Sequence, residues 1–111
     1  MGPVRHASGG CPGQYIMGIV QDERGNPLSD VRLRYSDQWG NETTTFTKAG
    51  TLDAGKYDFP LFPPAGAAMT YSVVVVDGDG NPLSPVVSVP HGHEGSDRAA
   101  GCHWVDWQQV E

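Results

Sequence analysis

The sequence predicts an all-β domain, an immunoglobulin-like antiparallel β-sandwich of about seven strands. Three observations point there. Fifteen Gly and nine Pro in 111 residues make long helices costly, because these residues are the poorest in a helix interior. Short runs rich in Val, Tyr and Thr lie between the Gly and Pro clusters. Along several of those runs apolar and polar side chains alternate with period two, the signature of strands with one buried face.

The elements follow in order. "QYIMGIVQD" puts Ile16, Gly18 and Val20 on one face. "VRLRYS" turns Val31, Leu33 and Tyr35 inward and Arg32 and Arg34 outward. "ETTTFT" is a Thr-rich strand of high β-propensity. "GKYDFPLF" alternates Tyr57, Phe59 and Leu61 against Lys56 and Asp58 until the prolines stop it. "MTYSVVVVD", the longest apolar run, reads as a central strand, and "SPVVSVP" and "CHWVDWQQV" complete the set. In the last strand His103, Val105 and Trp107 share one side, and Trp104, Asp106 and Gln108 the other; Val105 and Trp107 are expected in the core. Residues 1–13 are expected to form a flexible Gly-rich N-terminal arm, and residues 14–111 the single sandwich domain.

The word "GNPLS" occurs at Gly25–Ser29 and again at Gly80–Ser84. Each copy follows an aspartate and sits between Val-rich runs. Gly-Asn tolerates positive φ, Pro presets the next φ, and Leu is expected to return to the core. The word is therefore scaffold: one strand-to-strand turn used twice.

"GIVQDERGNPLSDVRLRY", then "GKYDFPL" and "PPAGAAMTYSVVVVD", together resemble the carboxypeptidase regulatory-like module of the transthyretin-like and collagen-adhesin B-type sandwiches. The resemblance spans roughly residues 16 to 77. It implies a non-catalytic stalk, adhesive or assembly module of secreted and surface proteins. Two features depart from the family pattern: "AGTLDAGKYDF" is longer than the usual turn before Gly-x-Tyr-x-Phe, and "DGDGNPLSPVVSVP" extends the chain where that pattern ends. Some relatives carry a Lys–Asn isopeptide cross-link, but the first strand here has no Lys, so that bond is not expected.

The net charge of −6 lacks the basic footprint that phosphate backbones require, so nucleic acid is not an expected partner. No apolar run is long enough to cross a bilayer, and "MGPVRHASGG" has no apolar signal core. Cys11 and Cys102 are expected to form a disulfide near the two chain ends, worth up to about 4–5 kcal/mol in the chain-entropy model. That expectation places the protein outside the cell or on its surface.

Chemistry-bearing groups are few. "DGDGN" spaces Asp77, Asp79 and Asn81 like the start of a calcium loop, but Pro82 and Ser88 stand where such a loop needs Gly and Glu. A plain acidic turn is the preferred reading. "PHGHEGSDRAAGCH" offers His91, His93 and His103 as zinc or copper ligands if the segment folds back; a polar loop is the alternative. No Gly-x-Ser-x-Gly elbow is present, and neither an enzymatic activity nor a cofactor is expected. Trp39 lies in a polar turn and Trp104 faces away from the expected core. Both are candidate ligand-binding residues that either stack on sugars or fold over an edge of their own sandwich. The leading reading is a non-catalytic extracellular module working through a protein partner or self-association. A carbohydrate-binding module using the two tryptophans and a metal-binding module using the histidines are its rivals.

Overall fold

The computed structural model describes residues 1–9, 14–61, 69–91 and 102–109, the Ser8 side chain excepted. These residues form eight strands: β1 (Gly2–Gly9), β2 (Tyr15–Gln21), β3 (Arg32–Ser36), β4 (Glu42–Phe46), β5 (Lys56–Pro60), β6 (Met69–Val76), β7 (Val87–His91) and β8 (Cys102–Gln108). They build two four-stranded sheets, ordered β1-β8-β2-β5 and β4-β3-β6-β7. Among the described residues no helix is long and apolar enough to cross a membrane. The fold is an all-β sandwich, and each of the seven runs read as strands is one.

The period-two pattern decides which face each strand buries. Ile16, Val20, Tyr57, Phe59, Val105 and Trp107 from the first sheet meet Leu33, Tyr71, Val73, Val75 and Val89 from the second. Tyr35 bridges the layers, its ring centroid 4.6 Å from that of Phe59, edge to face, a favoured aromatic geometry. In β6 the outward Val74 and Val76 are buried as well. They stand directly opposite Arg34 and Arg32 of β3, whose aliphatic stems suit them to covering such neighbours. Strand prolines fall on edge strands only: Pro3 in β1, Pro60 in β5 and Pro90 in β7. There the missing N–H breaks no central ladder.

Two expectations need correction. Residues 2–9 of the expected flexible arm form β1, an edge strand antiparallel to β8 with Gly2 opposite Gln108 and Gly9 opposite Cys102; residues 10–13 lie outside the described residues. The segment lacks a period-two apolar signal because it buries none of its described side chains. The edge of β8 supplies the pairing instead. The sandwich is also not wholly antiparallel. β1 runs against β8 and ends opposite its first residue, Cys102; β2 begins beside that same residue on the other side and runs parallel to β8, with Tyr15 beside Cys102 and Gln21 beside Gln108.

The turn that recurs is broader than "GNPLS". Asp22–Asn26, Asp37–Asn41 and Asp77–Asn81 are three copies of Asp-x-x-Gly-Asn with the same hydrogen bonds. In each, one carboxylate oxygen accepts the backbone N–H of the second and fourth residues onward, at 2.8–3.0 Å. The Asn amide donates to the other oxygen, and the Gly takes φ of 84–86°, a conformation that favours Gly. After the two Pro-bearing copies the leucines differ. Leu28 packs against the core, whereas Leu83 is 50% exposed, contrary to the expected return to the core.

Candidate functional site

The outer face of the β1-β8-β2-β5 sheet carries a depression of about 430 Å³. Alternation supplies its floor: Met17 and Ile19 are the outward positions of β2, and Trp104 and Asp106 those of β8. Lys56 and Asp58, the outward residues of β5, line one side with Lys48 and Asp53; Arg5 of β1 lines the other. Lys48 and Asp53 belong to the segment between β4 and β5. That segment is tied down at Gly55, whose N–H donates to the Lys48 carbonyl and whose carbonyl accepts the Val20 N–H. A side chain at Gly55 would meet Pro27 at 2.7 Å.

The polar groups around the depression are held in place. The Asp106 carboxylate accepts the Ile19 N–H at 3.0 Å and pairs with the Arg5 guanidinium at 3.4 Å. It occupies a stretch where the β2–β8 ladder opens between its paired residues Met17–Trp104 and Val20–Trp107. Lys48 pairs with Asp58 at 2.7 Å, and that carboxylate raises the Lys48 pKa. At Gly9 a Cβ would lie 3.2 Å from Trp104 Cζ3, so a glycine there lets the indole settle against β1.

Beneath this face Tyr57 crosses the interior side of the sheet. Its hydroxyl donates to the Val105 carbonyl at 2.5 Å and accepts the Trp107 Nε1–H at 3.1 Å. Burial pushes its pKa up. The phenol reaches β8 from β5 by passing β2 at Gly18, its register partner, where a Cβ would stand 1.9 Å from the Val105 oxygen.

The structure brings some of the expected site residues together and separates others. Trp104 lies in the depression, but Trp39 does not. Trp39 sits at the tip of the β3–β4 turn on the other sheet, 61% exposed, with its N–H donated to Asp37. Asp77 spends both carboxylate oxygens on its own turn, as Asp22 and Asp37 do, and those hydrogen bonds lower the pKa of all three. Asp79 and Asn81 contribute backbone N–H groups to Asp77, and Asn81 its amide as well. His91 and His103 do meet, buried, with Nδ1 of the first 2.9 Å from Nε2 of the second. His91 Nε2 donates to Gln14 Oε1 at 2.7 Å, which leaves His91 Nδ1 to accept from His103 Nε2–H. Burial lowers both pKa values, that of His103 to about 4. His93 lies outside the described residues, and among those described no group of three or more metal-ligating side chains assembles. Cys102 is fully buried between Gly9 and Tyr15; Cys11 is outside the described residues.

Sequence reasoning missed Arg5, Met17, Ile19, Lys48, Asp53, Lys56, Asp58 and Asp106 as neighbours of Trp104. The only signal was that each strand residue among them occupies an outward position. Grouping them required the strand order.

Fold and face together describe a β-sandwich module with a ligand-sized depression on one wet sheet face. No protein-family model matches the chain, and no curated protein matches it either. Among solved structures it is similar to a C-terminal fragment of the pilus adhesin SpaC from Lactobacillus rhamnosus GG, at 13% identity and a TM-score of 0.40. The match covers 90% of this chain and 46% of that one, so the chain spans less than half the length of that fragment.

Proposed function

We propose that this chain is a non-catalytic recognition module of a secreted or cell-surface protein, serving adhesion or structural assembly through the outer face of the β1-β8-β2-β5 sheet. The depression around Trp104 is the observation that carries this reading. Its carboxylates support a binding role over a catalytic one: Asp106 is engaged by Ile19 N–H and Arg5, and Asp58 by Lys48. Groups fixed in this way present donors and acceptors to a ligand at little ordering cost. The resemblance of residues 16 to 77 to carboxypeptidase regulatory-like modules agrees with the proposal.

The test is retention of the purified chain on immobilised neutral polysaccharides, acidic polysaccharides, matrix proteins and its own copy. Saturable binding to at least one is expected, weakened about tenfold or more by Lys56→Glu together with Met17→Glu, and unchanged by Trp39→Ala. Failure to bind any of them, or turnover of any of them, overturns the proposal.

A further inference from the structure

We infer that the depression takes a neutral oligosaccharide, with a pyranose ring laid on the Trp104 indole. The inference rests on the reading that this face is the recognition surface, and it adds the ligand class.

Charge is the first argument. Three cationic side chains, Arg5, Lys48 and Lys56, and three carboxylates, Asp53, Asp58 and Asp106, line the depression. Four of the six are joined in two ion pairs. A lining whose charges cancel offers no net attraction to an anion or a cation, and a charged ligand would leave its hydration without a counter-charge in return. What such a lining does offer is a dense set of oriented acceptors and donors. Carboxylates accept from hydroxyls and ammonium groups donate to them, and such charge-assisted bonds are the stronger kind. A ligand rich in hydroxyls and free of charge matches that set.

The second argument is the floor. Trp104, Met17 and Ile19 form an apolar patch inside a polar ring, and the indole is a broad, rigid platform whose contact costs little conformational entropy. A pyranose has the complementary form, with C–H bonds on its faces and hydroxyls around its rim. An extended peptide would instead look for unpaired backbone, and the floor strands β8 and β2 are paired on both sides. The volume of about 430 Å³ sits at the lower end of small-ligand clefts, about 300–1,000 Å³, and suits a short oligosaccharide.

A ¹H–¹⁵N correlation titration of the full chain with cellotetraose, mannotetraose, tetra-N-acetylchitotetraose and, as the charged comparator, tetragalacturonate tests this. At least one neutral tetrasaccharide should shift the amides of Met17, Ile19, Lys56 and Asp106 and the Trp104 indole N–H saturably. Trp104→Ala should weaken that binding about tenfold or more, with Trp39→Ala neutral. Should Trp104→Ala not fold, the exposed Lys56→Ala together with the half-buried Asp58→Asn provides the same reading, with an expected loss of about threefold or more. No response to any neutral tetrasaccharide, tighter binding of tetragalacturonate, or shifts centred on Trp39 would each overturn the ligand class. If the chain is still retained on a protein or on its own copy through this face, the recognition proposal survives that result. If nothing is retained, both fail.

Discussion

His103 shows how a single side chain ties this fold to pH. His91 accepts the His103 N–H and passes its own to Gln14. A further proton must therefore land either on His91 Nδ1, against the donor facing it, or on His103 as a buried cation; His6 adds like-charge repulsion. With the folded pKa near 4 and the ordinary value at 6.5, the unfolded chain binds more protons between these limits. Stability is therefore full above pH 6.5 and falls as pH drops toward 4, by as much as about 3 kcal/mol. His91 shifts the same way. The lowered carboxylates of Asp22, Asp37 and Asp77 add a separate loss as the pH falls toward and below 3.8, the ordinary Asp value. Thermal melts should show the melting temperature dropping between pH 6.5 and 4, with a flatter profile in His103→Gln. An identical profile in that variant would exclude the pair as the cause. Gly18 has a different single-residue role: a Cβ there would stand 1.9 Å from the Val105 oxygen, so its missing side chain lets the β8 backbone lie close against β2, with that oxygen accepting the Tyr57 hydroxyl.

At the scale of elements, the Asp-x-x-Gly-Asn turn recurs because each part solves one problem. Asp collects the N–H groups that a tight reversal leaves without ladder partners, Gly supplies positive φ, and Asn closes the ring onto the second carboxylate oxygen. Asp22→Ala, Asp37→Ala and Asp77→Ala are each expected to lower the melting temperature by a few degrees, nearly additively because each carboxylate spends its hydrogen bonds within its own turn. Asp→Asn, which keeps an acceptor, should lower it less. A variant with no effect would show its turn to be held by strand pairing alone. The Asp37 copy escaped notice because it lacks the Pro-Leu-Ser tail, and the tail is what made the other two conspicuous. The arginines of β3 also act at this scale: Arg32 and Arg34 donate to the Gly78 and Gly80 carbonyls, clamping the third turn over their own sheet.

Across the whole molecule, β8 is the strand on which both ends of the chain converge. It pairs with the N-terminal β1 on one side and with β2 on the other, and its buried Cys102 stands between Gly9 of the first and Tyr15 of the second. In the sequence Cys11 stands between Gly9 and Tyr15, the two residues that pair with Cys102. We therefore expect the intact chain to be two hydrogens lighter by mass than its reduced form, and reduction to lower the stability by no more than about 4–5 kcal/mol. Two free thiols in the denatured, unreduced protein would refute this. Since β1 buries no described side chain, the cross-link would also be the main covalent restraint keeping it at the edge.

The order and character of the strands were readable from residue chemistry alone. Period-two alternation, Gly and Pro placement and β-branched runs are local properties that act through near neighbours, and they located seven strands and the inward face of β2, β3, β5 and β8. Strand neighbourhood was not readable, because pairing joins residues far apart in the chain through backbone groups that every residue shares. For that reason β1, which has no apolar pattern, looked like a free arm. Trp104 likewise looked like a solitary exposed aromatic. Only the order β1-β8-β2-β5 set Arg5, Met17, Lys56 and Asp106 around it and turned scattered outward side chains into one face.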